Sequence, residues 1–461
     1  MRDSIHPARP IRSPRALLLA VALPLGVVLV AGCTGSPGSS RPAATATRGT
    51  ATQAGALSGC LVPPGTCYAP HQIDIAYGIQ PLLSEGIDGA GKTVTVLVPA
   101  PPPGAQSPSG APVVNPSGPV PSYAEDLRQQ VAAFDREFGL PAARMRVVTS
   151  LAGAASPWQA TIQEIADVEI VHAFAPAAAI RVVLAPSGTA DLDASAAAGL
   201  LAGLRLAVSG TDVALVDPSL GEHLFTKAQA AALNSMLLGA EARHVTVVAG
   251  SGDNGAFSDT PSGGTAVQEV SLPAADPLVL AVGGTELTLN SATDAYNSET
   301  VWNGQNGVSM NMGASGGGFS RLYARPSYQD GVPGIAAMRG VPDVAADAYQ
   351  QGGVAVVSTV GGHVAINGTQ GTSGAAALWA ALIALADQYA RHDLGLVNPA
   401  VYRIARGSGY HQAFHDVTTG GNIQTMPYPG GTAGYRAGPG WSPATGWGSP
   451  DAQVLIPLLA A

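Results

Sequence analysis

Residues 180–216 read IRVVLAPSGTADLDASAAAGLLAGLRLAVSGTDVALV, and this stretch decides the fold class. It opens with a β-branched run at 180–184, continues through an alanine- and leucine-rich run at 190–206, and ends in a second apolar run at 213–216. Two strands separated by a helix are joined by a right-handed crossover and lie parallel in one sheet. The stretch therefore predicts a βαβ unit.

The same alternation continues in both directions along the chain. Further strands are predicted at residues 93–98, 145–149, 246–249 and 278–282, and helices at 123–138, 159–174, 226–242 and 373–388. Repeated alternation of this kind is typical of an α/β protein. We therefore expect a doubly wound parallel sheet with helices on both faces, in a single domain over residues 59–461.

The composition excludes one class of partner. The chain has 461 residues, of which 46% are hydrophobic and 11% charged, whereas about 25% charged is usual. Lysine and arginine total 22 against 31 aspartates and glutamates, for a net charge of −9, and no basic run lies beyond the first residues. Nucleic-acid binding depends on clustered basic side chains. We therefore expect no nucleic-acid partner.

The N-terminus has the pattern of an export signal. Several arginines precede an apolar run at residues 16–30, which is shorter than the roughly 20 residues of a membrane-spanning helix. The run ends in Val30-Ala31-Gly32-Cys33, a lipobox pattern, so residues 1–32 are predicted to be a lipoprotein signal peptide. Lipid on Cys33 would anchor the exported chain to the outer face of the cell membrane; a plain secretory signal is the alternative.

The next residues predict a flexible tether followed by a disulfide. Residues 33–58 are rich in serine, alanine, threonine and glycine without apolar periodicity, which is typical of a flexible tether. Cys60 and Cys67 follow it. In an exported chain two cysteines this close are expected to form a small disulfide loop.

Two glycine-rich motifs match the patterns of nucleotide-binding sites, but the predicted secondary structure around them does not. Residues 86–93 (GIDGAGKT) match the P-loop pattern, yet a helical stretch precedes them and a β-branched run follows, the reverse of what phosphate binding needs. Residues 250–255 (GSGDNG) match G-x-G-x-x-G after a strand, but turn residues follow instead of a helix. Nucleotide binding is therefore not expected.

Residues 368–374 (GTQGTSG) place Ser373 between a glycine-rich turn and an apolar helix. A serine at a helix N-terminus is exposed to substrate, and nearby backbone N–H groups can face an oxyanion. The alternative is an ordinary helix-capping serine.

A serine nucleophile needs a base, and the predicted helix at 159–174 offers acidic candidates. Glu164 and Asp167 are three residues apart and share a helix face, so they could form a carboxylate pair in which one pKa is raised. The alternative is a solvated helix face. His172 could serve a Ser-His-Asp triad, although a packed structural histidine fits its isolated position better.

At this point the chain resembles the sedolisins, serine-carboxyl peptidases with a subtilisin-like fold. The resemblance extends over residues 60–455 and rests on separate blocks in family order. They are residues 167–173 (DVEIVHA), 251–255 (SGDNG), 272–275 (LPAA), 281–285 (AVGGT), 315–320 (SGGGFS), 325–329 (RPSYQ), 341–345 (VPDVA), 371–373 (GTS), 438–441 (GPGW) and 445–448 (TGWG).

The resemblance implies that Ser373 attacks the scissile carbonyl, that a helix glutamate accepts its proton, that Asp167 orients this glutamate, and that protonated Asp253 donates to the oxyanion. The family places its glutamate four residues before its aspartate, where this chain has Gln163. Glu164 is one residue further on, displaced by about 100° around an ideal helix. A one-residue deletion or a local overwound turn would bring Glu164 to the site, where we expect it to replace the base; the alternative is that the base is missing.

The resemblance also implies a calcium loop, formed by Asp416, Val417, Gly438 and Gly440. The family's second carboxylate is replaced by Ser442. Because calcium prefers several hard oxygen ligands, we expect a weak or absent ion.

The resulting hypothesis is an exported serine-carboxyl peptidase that acts in acid and forms an acyl-enzyme on Ser373. The alternative is a catalytically inactive sedolisin-like lipoprotein that binds peptides or an envelope partner, which the losses at Gln163 and Ser442 favour. In both cases we expect a monomer whose partners are a peptide or protein and, through the lipid on Cys33, the membrane.

Overall fold

The computed structural model describes residues 60, 67–100, 123–149, 160–186, 194–258, 267–304, 313–349, 351–360, 363–426 and 431–461. These residues belong to one compact unit, Gln53–Ala461. The predicted signal peptide at 1–32, Cys33 and the predicted tether at 33–58 lie outside the described residues. Among the helices of the described ranges, none combines the length and the apolar character needed to cross a membrane.

The centre of the fold is an eight-stranded sheet. Its strands are β1 Thr93–Ala100, β2 Arg144–Thr149, β3 Ala179–Pro186, β4 Val213–Val216, β6 Thr246–Gly250, β8 Leu280–Leu289, β9 Tyr296–Val301 and β12 Val344–Asp347. They follow the order β12-β8-β6-β4-β1-β3-β2, with β9 paired to β8. Neighbours along this path are parallel, and only the β8–β9 pair is antiparallel. The predicted α/β class and parallel sheet are confirmed.

The remaining described strands form small antiparallel pairs around the sheet. They are β5 Leu220–Gly221 with β7 Ser271–Leu272, β10 Gly318–Ala324 with β11 Met338–Val341, β13 Ala355–Val360 with β14 His363–Gly368, β15 Phe414–His415 with β18 Ser449–Pro450, and β16 Gln424–Met426 with β17 Gly431–Ala433.

Helices cover both faces of the sheet. They are α1 Pro70–Ala76, α2 Gln80–Ser84, α3 Tyr123–Phe138, α4 Ile162–Phe174, α5 Ala194–Ala207, α6 Lys227–Glu241, α7 Thr372–Ala390, α8 Asn398–Ala405, α9 Tyr410–Ala413 and α10 Ala452–Leu459. α3 has the predicted bounds, and α2 and β1 flank the 86–93 motif in the order that excludes a P-loop.

The two faces form separate cores because side chains of a strand alternate between them. In β1, Val94 and Val96 pack with the apolar side chains of α4 and α7, whereas Leu97 packs with those of α5 and α6. α7 is buried continuously over residues 374–387, which requires a helix that is apolar all round. Its burial fixes the position of its N-terminus, where Ser373 lies.

A reciprocal capping box fixes the start of α4. The Thr161 hydroxyl accepts a hydrogen bond from the backbone N–H of Glu164 (3.3 Å), and the Glu164 carboxylate accepts one from the backbone N–H of Thr161 (2.9 Å). Threonine followed three residues later by glutamate is the usual sequence for this motif. The register of α4, and therefore the direction of each of its side chains, is set at this point.

Cys60 and Cys67 are joined in a disulfide, as the sequence predicts, with their Cα atoms 6.1 Å apart.

A buried ion pair ties the end of the sheet to α8. Asp343, directly before β12, accepts hydrogen bonds from the Arg339 guanidinium at 2.8 and 2.6 Å. Its carboxylate also accepts from the Tyr402 hydroxyl (2.9 Å) and the Asn398 amide (3.0 Å). Both members of the pair are fully buried, so each would be left as an uncompensated charge without the other.

Substitution of this carboxylate should be strongly destabilising. We expect Asp343→Asn to lower the free energy of unfolding by about 3–5 kcal/mol, because it leaves the Arg339 charge buried without its partner. Urea denaturation followed by tryptophan fluorescence measures the loss. The matched control is Asp330→Asn, which removes the exposed pair with Arg325 and should cost less than about 1 kcal/mol. Equal losses for the two variants would contradict the assignment.

Candidate active site

The site lies at the carboxyl edge of the parallel sheet, where ligand sites of α/β proteins are usually found. Asp217 directly follows β4, and Asp253 lies three residues beyond β6. The N-terminus of α7 and the first turn of α4 meet them there. Together they enclose a cavity of about 190 Å³, lined by Gln163, Asp217, Pro218, Ser219, Asp253, Thr372 and Ser373.

Ser373 occupies the first turn of α7, after Gly371, which is the N-cap. Gly371 has a φ of 109°, which side chains other than glycine rarely adopt. A Cβ on Gly371 would also lie 2.8 Å from Asp253 Oδ2 and 3.4 Å from Ser373 Oγ. The glycine therefore lets these two groups border the same space. The first N–H groups of a helix have no partner within it, so they can also face an oxyanion here.

Asp253 is held by the residue that precedes the serine. Its Oδ1 accepts hydrogen bonds from the Thr372 backbone N–H (2.8 Å) and the Thr372 hydroxyl (2.9 Å). Burial raises the pKa of Asp253 above its ordinary value, although these two hydrogen bonds oppose the shift. A protonated Asp253 can donate from Oδ2 to a developing oxyanion.

Gln163 occupies the position beside Ser373. Its Nε2 atom donates to Ser373 Oγ at 2.5 Å and to Asp167 Oδ1 at 3.2 Å. The amide therefore links the serine to the buried aspartate, as the family glutamate is expected to do. An amide has no basic form at ordinary pH, so Gln163 cannot accept the serine proton.

Glu164 lies at the start of the helix, where its carboxylate completes the capping box with Thr161. The hydroxyl of Tyr123 lies beside it, and burial raises the pKa of Glu164 to about 7. Glu164 is not among the residues that line the cavity with Ser373. The structure thus brings Ser373, Asp167 and Asp253 into one site and places the carboxylate of Glu164 at the helix terminus.

Asp217 is the group that sequence reasoning missed. We had expected Asp167 to pair with Glu164, whereas its carboxyl forms a hydrogen bond with that of Asp217. Burial, followed by the charge of Asp217, raises the pKa of Asp167 well above its ordinary value. Burial and then the charge of Asp253 raise the pKa of Asp217 to about 7. The position of Asp217 directly after an apolar strand was the available sequence signal.

The other polar groups of α4 serve packing. His172 is fully buried, and its Nε2 lies 2.8 Å from the Pro141 carbonyl oxygen and 3.1 Å from Asp135. Glu169 accepts a hydrogen bond from the backbone N–H of Val357 at 2.8 Å. His172 is therefore a packed structural residue, as its isolated position suggested.

The residues of the expected calcium loop do not fit the ion. Both carboxylate oxygens of Asp416 accept from the backbone N–H of Gly440, at 3.1 and 3.0 Å. Ser442 turns its hydroxyl toward Thr445 (3.0 Å). Among the described residues no group of three or more His, Cys, Asp or Glu side chains could hold a metal. Asp416 with the carbonyls of Val417, Gly438 and Gly440 supplies one charged ligand, fewer than calcium prefers.

Curated relatives of the chain are peptidases by name. Kumamolisin from Bacillus sp. (strain MN-32) is 37% identical over 305 residues, which are 64% of this chain and 50% of the relative. Sedolisin from Pseudomonas sp. (strain 101) is 34% identical over 276 residues, 58% of this chain and 44% of the relative. Human tripeptidyl-peptidase 1 is 30% identical over 253 residues, 49% of this chain and 39% of the relative. The chain thus spans half or less of the length of these relatives. No family model matches it.

Among solved structures, Pseudomonas sedolisin, a serine-carboxyl proteinase complexed with two molecules of pseudo-iodotyrostatin, aligns with a TM-score of 0.65. The sequence identity is 25%, and the alignment covers 85% of this chain and 97% of that one. A parallel sheet with a serine at a buried helix N-terminus and carboxyls around it defines the class as a subtilisin-like α/β protein. In sequence and in fold the chain is similar to members of the sedolisin family.

The loop chemistry predicts that calcium has little effect on stability. We expect the melting temperature of the protein to be the same in calcium and in chelator, because one carboxylate cannot balance the ion. Ser442→Asp should restore the second carboxylate and make stability calcium-dependent, by about 2.7 kcal/mol when calcium exceeds its Kd a hundredfold. Differential scanning calorimetry measures both. Ser442→Asn is the uncharged control, and a fall in the wild-type melting temperature with chelator would contradict this account.

Proposed function

We propose that the chain is an acid-acting serine-carboxyl peptidase that hydrolyses peptide bonds through an acyl-enzyme on Ser373. The observation that carries this proposal is the cavity in which Ser373 borders Asp253 on one side and the Gln163–Asp167 contact on the other. The names of the relatives support peptide-bond hydrolysis as the reaction, and a peptide or protein as the substrate.

In this reaction Ser373 Oγ attacks the carbonyl carbon and loses its proton to a carboxylate. The carbonyl oxygen becomes an oxyanion, which Asp253 stabilises by donating from Oδ2. The tetrahedral intermediate collapses to the acyl-enzyme as the leaving amine takes a proton, and water then releases the acyl group by the same steps.

Acid operation follows from what Asp253 must do. It donates only while protonated, so activity falls as the pH rises through its raised pKa. The accepting carboxylate must be ionised, so activity also falls at low pH. Because neighbouring carboxyls titrate as a coupled set, a proton on Asp253 lowers the pKa of the others, and activity is expected between the two limbs.

A second candidate function is peptide binding without hydrolysis. The contact between the Gln163 amide and Ser373 Oγ favours it, because a donor on the serine oxygen cannot activate the hydroxyl. A cleft that binds peptides would then serve recognition of a peptide or an envelope partner.

We also propose that the protein is an exported monomer held at the outer face of the membrane by lipid on Cys33. The support is the sequence pattern of residues 1–33 and the spacer character of residues 33–58. Such a tether would let the domain reach substrates away from the bilayer surface.

Removal of the oxyanion donor tests the peptidase proposal. Asp253→Ala should lower kcat by about 10²–10³-fold, the usual loss for one oxyanion donor, and Ser373→Ala should abolish turnover. Asp253→Asn is the matched control. The amide of this variant can accept from Thr372 through its oxygen and donate to the oxyanion through its nitrogen at every pH. The variant should therefore lose less activity than Asp253→Ala. Its activity should also lack the alkaline limb, the fall as the pH rises.

The measurement is cleavage of fluorescein-labelled denatured casein by the full chain between about pH 3 and pH 8, a range that spans the ordinary and the raised carboxyl pKa values. An alkaline limb that persists unchanged in Asp253→Asn would show that another group sets it. Absence of turnover in the wild type, together with no labelling of Ser373 by a fluorophosphonate, would favour the binding function.

The anchor is tested by fractionation. Cys33→Ser should move the protein from the membrane fraction to the extracytoplasmic soluble fraction, because no thiol remains to carry the lipid. Immunoblots of washed membranes measure this distribution. Thr34→Ser, a neighbouring change that keeps the cysteine, should stay with the membrane; a Cys33→Ser protein that stays there would overturn the proposal.

A further inference from the structure

We propose that Asp217 is the catalytic carboxylate of this chain: it accepts the proton of Ser373 across the shared cavity and returns it to the leaving amine. This inference rests on the proposed peptidase function and deepens it. It gives a role to a residue that neither the family pattern nor the sequence blocks identified.

Within the cavity, the other polar side chains are already committed. Both N–H groups of the Gln163 amide are directed to acceptors, Ser373 Oγ and Asp167 Oδ1. Of the lining residues that the structure describes, two carry ionisable side chains, Asp217 and Asp253. Asp253 is committed to the oxyanion side through its contacts with Thr372. Asp217 is therefore the lining residue available as a base.

Asp217 also contacts Asp167. Asp167 is fully buried, and its Oδ2 atom meets no N–H or O–H donor within the described part of the chain. The carboxyl of Asp217 supplies its hydrogen-bond partner. Two carboxyls this close need a proton between them, as in the aspartic-protease pair. Their hydrogen bond raises the pKa of Asp167 and lowers that of Asp217, so Asp167 keeps this proton and Asp217 ionises first.

The backbone holds Asp217 in place. Its N–H donates to the carbonyl oxygen of Leu97 in β1 at 3.3 Å, which continues the pairing of β4 with β1. Pro218 follows, and a residue before proline is restricted to extended conformations. The carboxyl group is thus carried on the rigid edge of the sheet rather than on a loose loop.

The charges that face Asp217 are acidic. They come from Asp167 and Glu164 on α4 and from Asp253 beyond β6. Among the described residues that line the cavity there is no lysine, arginine or histidine. Burial and the charge of Asp253 raise the pKa of Asp217 to about 7, although its hydrogen bond with Asp167 opposes the shift, and a proton on Asp253 brings the pKa below this value. A base with a pKa near the working pH is the effective kind.

The step balances without a co-reactant. As Ser373 Oγ bonds to the carbonyl carbon, its proton passes to Asp217 directly or through a water molecule in the cavity. Asp217 then protonates the amine nitrogen as the C–N bond breaks, and returns to its ionised state. In deacylation Asp217 takes a proton from the attacking water, and Ser373 regains its proton when the ester bond breaks.

The test compares kcat and KM of the full chain and its variants on fluorescein-labelled denatured casein. Asp217→Asn should lower kcat by at least about 10²-fold with KM little changed, the usual loss for a general base. Asp387→Asn is the matched control: it alters a fully buried carboxyl further along α7 and should retain wild-type activity.

A rescue variant distinguishes catalysis from a structural role. Gln163→Glu places a carboxylate beside Ser373 Oγ, so the double variant Gln163→Glu/Asp217→Asn should recover at least tenfold of the lost kcat with a changed pH profile. A residue needed only for folding would not be rescued from the opposite side of the cavity. If Asp217→Asn fails to fold, as judged by thermal unfolding, Asp217→Ser replaces it in both backgrounds.

The outcomes separate the two proposals. An Asp217→Asn enzyme within about twofold of the wild type, while Ser373→Ala is inactive, overturns the role of Asp217 and leaves the peptidase intact. If the wild type shows neither turnover nor fluorophosphonate labelling of Ser373, and Gln163→Glu gains both, the proposed function is overturned, and the role of Asp217 with it.

Discussion

The capping box at the start of α4 is the constraint on which the site depends. Thr161 and Glu164 satisfy each other's backbone N–H groups, and a helix that begins at this point presents Gln163 toward Ser373. Neighbouring residues on a helix differ by about 100° in direction. Glu164 cannot face the serine and cap the helix at once, so its carboxylate serves the backbone and the amide of Gln163 meets the nucleophile. The identity of the group beside Ser373 is therefore decided by a local hydrogen-bond pair.

The acidic side chains inside the fold occur in two different environments. Asp343 is fully buried and forms an ion pair with Arg339. Asp167, Asp217 and Asp253 meet without a cation among the cavity-lining residues. Protons take the place of the missing cation, because adjacent carboxylates cannot all ionise at low energetic cost. A site that holds protons in this way can both donate to an oxyanion and accept from a hydroxyl.

Most of the architecture could be predicted from local pattern, whereas the catalytic contacts could not. Apolar runs separated by helical periodicity located the six strands of the parallel sheet that we expected and the bounds of α3, since these depend on burial alone. Spacing on a helix also suggested that Glu164 and Asp167 share a face. Helix spacing alone did not account for the T-x-x-E capping motif, which competes with that pairing. Nor could it predict the contact between Asp217 and Asp167, because these residues lie on elements that are joined only through the sheet. The sequence shows Ser442 at the position where the resemblance implies a second carboxylate, whereas the hydrogen bonds from Gly440 to Asp416 are seen only in the structure.

A base does not have to occupy a particular helix to serve a serine. General-base catalysis needs an acceptor of suitable pKa within reach of the hydroxyl, and the same arrangement of nucleophile, base and orienting group occurs on unrelated folds and in different chain orders. Here the carboxyl end of β4 reaches the same cavity as α4, so a carboxylate there can act on Ser373 while Gln163 keeps the hydrogen-bond link to Asp167. Loss of the helix glutamate would by itself indicate an inactive relative. An amide at that helix position together with a carboxyl on the facing strand end is the pattern expected of a displaced base, and Asp217 lines the cavity with Ser373 although burial and the charge of Asp253 oppose its ionisation.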